Sequence, residues 1–221
     1  MSEKDGLRTY RGKRHFDRTS EPSGERARKD GDEPVFVVQI HDASTMHFDF
    51  RLEVDGVLKS WSVPKGPSTD PQDKRLALPT EDHPLDYQDF EGVIPQGEYG
   101  GGTVIVWDTG TYRPTSHDRR NRPVPFADAL DKGHATFELH GRKLRGEYAL
   151  TRFHGREEKS GGSAAKPTWL LVRKGRTGQQ TQQTGDTAVG TPDPHRARSV
   201  RSGRTLRQVA DEESGQGREQ G

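Results

Sequence analysis

The stretch His41-Asp-Ala-Ser-Thr-Met-His-Phe-Asp-Phe-Arg51 decides how the rest of the chain is read. From Met46 to Leu52 polar and apolar residues alternate, so an extended strand sends His47, Asp49 and Arg51 to one face and Phe48, Phe50 and Leu52 to the other. The apolar face belongs to a core. The polar face carries an imidazole, a carboxylate and a guanidinium in line. His41 ends the preceding apolar run, Val35 to Ile40, and needs only a turn through Asp42 to Thr45 to face the same point. Imidazole nitrogen and carboxylate oxygen without thiolate suit zinc, manganese or iron, and a facial set of three leaves positions open for water or substrate. A half-exposed antiparallel strand alternates in the same way with no site on it. Arg51, His41 and the later His83 separate the two readings, because a solvent face has no reason to collect those residue types.

Outward from that stretch, Asp55-Gly56 is a hairpin turn joining Met46–Glu53 to a strand over Val57–Val63, so the ordered chain starts at Pro34 as a β-meander. Pro64-Lys-Gly-Pro67 breaks the pattern and leaves Lys65 at a strand end, where loop residues on a rigid sheet often bind. Arg75 to Leu78 is a further strand leading into Glu81-Asp-His-Pro-Leu-Asp-Tyr87, where Pro84 keeps His83 extended and able to reach back to the site. Gln96 to Gly102 is glycine-rich but lacks the Lys-Ser/Thr that closes a phosphate loop. The β-branched and aromatic residues Thr103 to Trp107 follow it, so it reads as a tight turn or bulge entering a strand. Asp108-Thr-Gly110 is expected to turn the chain towards Thr111 and Tyr112. A polar loop spans Arg113 to Pro125, and one short helix runs from Phe126 to Lys132 and ends at Gly133. Ala135–Leu139, Leu144–Thr151 and Thr168–Lys174 complete a set of about eight strands at the spacing of a sandwich or barrel. His140-Gly141 and a Ser/Gly-rich loop, Glu157 to Lys166, lie between them.

With 221 residues of which 27% are hydrophobic, the chain fits one domain plus tails. Residues 1–33 form a charged arm with Arg8, Arg11, Lys13, Arg14 and Arg18, anchored through Tyr10 and Phe16. Residues 34–175 form the ordered domain, and 176–221, dominated by Gln, Gly, Thr, Ser and Arg, are expected to stay unfolded. The net charge of +1 means that any nucleic-acid contact comes from a local patch and not from a global field. The absence of cysteine excludes disulfides, zinc ribbons and thiol nucleophiles. With no apolar run of membrane-spanning length and a polar Met1 to Leu7, a cytoplasmic protein is expected.

Several of these segments recur together elsewhere. Gln39-Ile-His41, Met46 to Leu52, Trp61-Ser-Val-Pro-Lys-Gly-Pro67, Glu81 to Tyr87 and Glu91 to Gly100, followed by Trp107 to Gly110, Leu144-Arg-Gly146 and Trp169 to Leu171, resemble the 3′-phosphoesterase domain of bacterial DNA ligase D. The resemblance covers roughly residues 7–175 in order. It implies a mainly β fold, a compact closed or nearly closed β-barrel with one short helix and disordered tails. It also implies a metal-dependent activity, preferring manganese, that trims DNA 3′ ends before end joining. A terminal ribonucleoside is removed to leave a 3′-phosphate, and the phosphate is then removed to leave a 3′-hydroxyl. Carried across, it places the metal on His41, His47 and Asp49, and the scissile phosphate on Arg51 and His83 with Tyr87 beside them. Gln39, Lys65, Arg75 and Glu81 would form a surrounding ring. Lys13-Arg14, Phe16 and Thr19-Ser-Glu21-Pro22 resemble the family's amino-terminal pattern, with Arg14 and Glu21 as contributors. The family often has an acidic residue where His15 stands here.

Phosphoester hydrolysis needs a nucleophile, neutralised phosphoryl oxygens and a protonated leaving group. A divalent ion, manganese first and zinc or cobalt among the alternatives, meets the first two needs, helped by Arg51; His83 is placed to bind phosphate or act as general acid. The chain is too short for fused ligase and polymerase modules and has no Lys-x-Asp-Gly motif. A free-standing, monomeric enzyme meeting a separate ligase and the end-binding protein Ku is therefore expected. Two other readings exist. His47-x-Asp49 also opens the facial triad of an iron(II) oxygenase, completed by His134, His140 or His154. The same fold without activity would be a DNA-end binding module.

Overall fold

The computed structural model describes residues 6–26, 31–153, 167–175 and 191–216. Nine strands form one antiparallel sheet: β1 (Val35–Asp42), β2 (Met46–Val54), β3 (Val57–Val63), β4 (Arg75–Pro79), β5 (Gly92–Ile94), β6 (Gly102–Pro114), β7 (His134–Gly141), β8 (Arg145–Phe153) and β9 (Thr168–Arg173). Their order is β1-β2-β3-β4-β9-β8-β7-β6-β5, and a further pairing of β1 with β6 closes eight of them into a barrel, leaving β5 outside the ring on β6. Closure removes the exposed edges that would otherwise invite pairing with other chains.

The two-residue period sets the layers. Phe36, Val38 and Ile40 of β1, with Phe48, Phe50 and Leu52 of β2, point inward and join Trp107, Phe137, Tyr148 and Leu150 in a filled interior. The alternate residues point outward, so the polar face of the opening stretch lies on the outside of the barrel. It is roofed there. Helix α1 (Arg8–Gly12) and a 3₁₀ turn (Leu85–Asp89) bring Tyr10, Leu85, Tyr87 and Phe90 against Val37, Leu58, Val104 and Val106 in a second apolar cluster. Asp55 (φ 50°) and Gly56 (φ 81°) make the hairpin turn the sequence predicts, and α2 (Phe126–Asp131) is followed by Gly133 at φ 85°.

Two expectations need correction. Asp108-Thr-Gly110 does not turn the chain; it lies inside the 13-residue β6. The buried Asp108 carboxylate accepts the backbone N–H groups of Arg142, Lys143 and Leu144 at 3.0, 3.0 and 2.7 Å, so a turn-forming residue type serves here to cap the neighbouring β7–β8 turn. Gly110 is needed for close approach, because a Cβ there would sit 2.3 Å from the His140 carbonyl oxygen. The carboxyl-terminal residues also depart from the reading of an unfolded end. Helix α3 (Leu206–Gln216) packs on β5 and β6, with Leu206, Val209 and Ala197 buried. These few apolar residues are too sparse to make a core but suffice to cover one already present. The expected loop Glu157 to Lys166 and residues 176–190 lie outside the described residues. Among the described residues no helix is long and apolar enough to cross a membrane.

Candidate functional site

The β1–β2 register pairs His41 with His47, Gln39 with Asp49 and Val37 with Arg51, so two imidazoles and a carboxylate meet on the outer face of one hairpin. One ligand atom from each of His41, His47 and Asp49 lies within 4.8 Å of the others. His41 Nδ1 is 3.6 Å from Asp49 Oδ2, and His47 Nε2 is 3.7 Å from Asp49 Oδ1. The opposite ring nitrogens are held by backbone: His41 Nε2 lies 2.8 Å from the Gly100 carbonyl oxygen and His47 Nδ1 lies 2.8 Å from that of Thr45. A carbonyl can only accept, so those nitrogens carry the hydrogens and the inward ones present lone pairs. Burial alone would raise the Asp49 carboxyl; the Arg51 guanidinium, 3.0 Å away, holds it well below the usual carboxylate range. Two imidazole nitrogens with inward lone pairs and an ionised carboxylate aimed at one point fit a divalent cation of the zinc or manganese type.

Arg51 is buried beside this triad. Its Nε donates to Gln39 Oε1 at 2.8 Å, Nη1 to Ser60 Oγ at 2.8 Å and to His83 Nδ1 at 2.8 Å, and Nη2 to Asp49 Oδ2 at 3.0 Å. Four of its five N–H groups therefore have acceptors, and one on Nη2 remains to meet a substrate oxygen. Gln39 is fixed in turn by donating to the Tyr87 and Phe90 carbonyls, each at 3.0 Å. His83 is placed by a two-hydrogen-bond bridge to Leu58 of β3, the extended conformation expected ahead of Pro84. Burial first, then Arg51 and Arg14, keeps its ring neutral, with a pKa well below the usual histidine value. Its Nδ1 accepts from Arg51 Nη1 at 2.8 Å in the tautomer that carries the hydrogen on Nε2, and in that tautomer it has no hydrogen to give the Glu81 carbonyl oxygen 2.9 Å away.

The arm closes the other side. Tyr10 is fully buried and donates its hydroxyl to the Pro22 carbonyl at 2.7 Å. The Arg14 guanidinium lies 3.7 Å from the Tyr10 ring centroid, 2.9 Å from Glu21 and 3.2 Å from Glu81, with Nη2 3.4 Å from His83 Nε2. Tyr87 donates to Glu21 Oε1 at 3.0 Å, and burial raises its hydroxyl pKa well above the ordinary value, so it remains a donor. Lys13 reaches Glu81 at 3.1 Å and the Tyr99 hydroxyl at 3.0 Å. His15 and Arg18 bind Glu98 at 2.9 and 3.2 Å, stapling the arm to the glycine-rich loop.

Residues 39–152 match the family model described as the DNA ligase D 3′-phosphoesterase domain. The chain belongs to that family. It is 47% identical over 201 residues to the multifunctional non-homologous end joining protein LigD of Pseudomonas aeruginosa, covering 90% of this chain and 22% of that protein. It is 45% identical over 151 residues to the LigD DNA repair protein of Mycobacterium tuberculosis, covering 68% of this chain and 19% of the relative. For LigD of Mycolicibacterium smegmatis the figures are 42% over 154 residues, 69% and 20%. The chain thus spans 19 to 22% of the length of these LigD relatives.

In this phosphoesterase-family chain, ten of the twelve residues singled out from the sequence meet in one place: His41, His47, Asp49, Arg51, His83, Tyr87, Gln39, Glu81, Glu21 and Arg14. Lys65 and Arg75 stand apart from this network. Lys65 is exposed in the turn after β3, and Arg75 on β4 pairs with Asp73 at 2.5 Å. His134 bonds Thr151 at 2.9 Å and His140 lies 3.9 Å from Glu138, neither of them in the triad; His154 lies outside the described residues. Sequence reasoning missed Ser60, Tyr99, Glu98 and the Gly100 carbonyl. The glycine run was the signal for the last: a Cβ on Gly102 would sit 2.2 Å from the Asp42 carbonyl oxygen, so only glycine lets this loop close on β1.

Proposed function

We propose that this chain is a metal-dependent phosphoesterase that heals DNA 3′ ends in non-homologous end joining. It removes a terminal ribonucleoside and then the 3′-phosphate to leave a 3′-hydroxyl. The observation that carries the reading is the triad with its lone pairs turned inward, lying directly against a buried arginine and histidine. His41, His47 and Asp49 would hold a divalent ion, manganese by preference, whose Lewis acidity would acidify a bound water and withdraw charge from the phosphoryl oxygens. Arg51 offers its remaining N–H to one such oxygen, and its four other bonds fix that donor before substrate arrives. Arg14 and His83 face the same oxygens. A phosphate dianion entering here offsets the two guanidiniums that keep His83 neutral, which raises the ring's affinity for a proton; His83 then protonates the leaving oxygen. A separate ligase and Ku complete the joining reaction, with this chain acting as a monomer.

The test is a primer-template ending in a 3′-phosphate or in one 3′-ribonucleotide, incubated with the protein, with His47→Ala, with manganese and with chelator. Conversion of both ends to a 3′-hydroxyl, requiring manganese and His47, is the expected result. Binding of the ends without conversion would make the chain an end-binding module, and oxoglutarate turnover with iron(II) would make it an oxygenase.

A further inference from the structure

The contacts of the site close on themselves. In one direction Asp49 lies against His41, whose ring is held by the Gly100 carbonyl, and Tyr99 precedes Gly100 in the chain. In the other direction Asp49 meets Arg51, Arg51 meets His83, His83 meets Arg14, and Arg14 meets Glu81, which accepts from the Tyr99 hydroxyl at 3.4 Å. Tyr99 therefore joins the metal side of this circuit to its phosphate side, on the rim of the site. Its ring centroid is 5.7 Å from Arg14 Cζ, and Arg14 Nη2 is 3.4 Å from His83 Nε2, so only the Arg14 guanidinium stands between the ring and His83.

Exposure sets Tyr99 apart from the site's other tyrosines. It is 49% exposed, against 0% for Tyr10 and 2% for Tyr87. The ring is nevertheless fixed. Its hydroxyl accepts from Lys13 Nζ at 3.0 Å and donates to Glu81, whose buried side chain is itself held by Lys13 and Arg14. The backbone beneath it is pinned by the Glu98 N–H donating to the Pro95 carbonyl and the Gly101 N–H to the Glu98 carbonyl, both at 3.1 Å, and by the pairing of the Glu98 carboxylate with His15 and Arg18. Lys13 Nζ lies over the ring, 4.2 Å from its centroid, and nearly half of the residue stays open to solvent. A flat apolar surface held rigidly in water beside a charged site is a preformed platform, because little further freedom is lost when a second flat group lies on it.

The geometry points to Tyr99 as the stacking platform for the last base of a 3′-phosphate end, the base on the nucleotide whose O3′ carries the phosphate; this rests on the phosphoesterase reading. Such an end has no further base on its own strand, so one face of the last base lacks its usual stacking partner. The Tyr99 ring takes that partner's place while Arg51, Arg14 and His83 face the phosphate. Every base has a π face, so a ring accepts all four alike, where a hydrogen-bonding side chain would select among them. Indifference to the base suits an enzyme that acts on whatever nucleotide a break leaves.

The experiment measures dissociation constants by fluorescence anisotropy, with chelator to prevent turnover, for the wild type, Tyr99→Leu and Tyr99→Phe. Two primer-templates ending in a 3′-phosphate are compared, one with a normal last nucleotide and one with a tetrahydrofuran abasic residue in its place. The wild type is expected to bind the normal end about tenfold or more tighter than the abasic end. Tyr99→Leu should bind the two alike, and Tyr99→Phe, which keeps the ring without the hydroxyl, should recover the difference, so that the cycle isolates the coupling of ring to base. Equal weakening of both ends by Tyr99→Leu, with the difference intact, would mean that the side chain serves to hold Lys13 and Glu81, and overturns the proposal. So does a Tyr99→Phe as indifferent to the base as Tyr99→Leu. A spectroscopic readout stands beside the affinities: 2-aminopurine as the last base should be quenched on binding to the wild type and Tyr99→Phe more than to Tyr99→Leu, and equal emission in all three overturns the platform. Conversion of the 3′-phosphate by the wild type with manganese is scored separately. No conversion overturns the phosphoesterase reading, whereas conversion without dependence of affinity on the base overturns the platform alone.

Discussion

The Gly100 carbonyl oxygen lies 2.8 Å from His41 Nε2, and this single backbone contact decides which nitrogen of His41 faces Asp49. Thr45 does the same for His47 from the other ring position. The two ligand histidines are therefore expected to be opposite tautomers in the chelated protein, Nε2–H for His41 and Nδ1–H for His47. Long-range ¹H–¹⁵N correlation spectra at pH 8 read this directly. The same tautomer on both rings would mean that the carbonyls do not orient them, and that the ligand geometry forms only when an ion arrives.

Ligand loss and arginine loss should separate. His47→Ala removes one of three donors and is expected to weaken manganese binding by more than about 100-fold, beyond the cost of losing an outer hydrogen bond. Arg51→Lys keeps a positive charge but cannot reproduce four donor bonds in one plane. Turnover of a 3′-phosphate end should fall about 100-fold or more while manganese affinity changes less than about tenfold. Calorimetry with manganese and single-turnover kinetics would show the split; equal losses in both variants would place Arg51 among the groups that build the metal site itself.

The legible part of this site was side-chain periodicity, and the illegible part was backbone and burial. Alternation from Met46 to Leu52 was enough to place His47, Asp49 and Arg51 on one face, and the hairpin register brought His41 opposite His47. His83 could be reached through Pro84. The Gly100 carbonyl could not, because a backbone acceptor has no residue type of its own. Arg14 reads as one cation in a solvated arm until Glu21 and Glu81 are seen around it in a buried cluster. In the same way Leu206 and Val209 look too few to fold, and become legible only once β5 and β6 exist for them to cover. Asp108 misled for the opposite reason: a strong turn former was read as making its own turn, and it caps another.

His83 gives a pH dependence whose sign is fixed. Its folded-state pKa lies well below the ordinary value because of burial and the two arginines, so below about pH 6.5 the unfolded chain binds a proton that the folded chain does not. Stability is therefore lost as the pH falls through the unfolded value, by about 1.4 kcal/mol per pH unit at full slope. His83→Gln should remove this component. Urea denaturation of chelated wild type and His83→Gln at pH 7.5 and 5.5 should show the wild type losing about 1 kcal/mol more than the variant. An equal loss in both proteins would mean that His83 is protonated in the folded state.

Arg14 and Tyr87 share Glu21 as acceptor and should differ sharply on removal. Arg14→Ala leaves Glu21 and Glu81 buried without their strongest common partner and is expected to cost about 3 kcal/mol or more, releasing the arm from the barrel. Tyr87→Phe removes one donor to a carboxylate that keeps Arg14 and Thr19, and should cost about 1 kcal/mol. Thermal denaturation of the two variants, with limited proteolysis of residues 6–26, distinguishes them. A similar small loss in both would show that the arm is held by the apolar contacts of Tyr10 and not by the ion pairs.

The carboxyl-terminal segment braces the part of the chain that carries His83. Arg201 pairs with Asp89, Ser199 with Glu91, and Arg204 lies 3.7 Å from Glu91, all just beyond the 3₁₀ turn whose Tyr87 and Phe90 carbonyls hold Gln39. Val200 donates to the Val106 carbonyl at 2.9 Å, and Val93 donates to Glu213 at 3.2 Å. Deleting residues 191–221 exposes the surface under Leu206 and Val209, worth about 1.5–3 kcal/mol for each side chain, against the entropy regained by freeing the segment. The net loss should be about 2 kcal/mol, a fall in Tm of roughly 4 to 8 °C for a domain of this size. His41, His47 and Asp49 stand on β1 and β2, away from these contacts, so manganese affinity should stay within about threefold of the full chain. Turnover on a 3′-phosphate end should nevertheless drop about tenfold, because Gln39, and through it Arg51, loses the rigid carbonyls that aim it. Affinity and turnover falling together would mean that the segment supports the β1–β2 hairpin instead. An unchanged Tm would mean that its buried residues contribute nothing net to the fold.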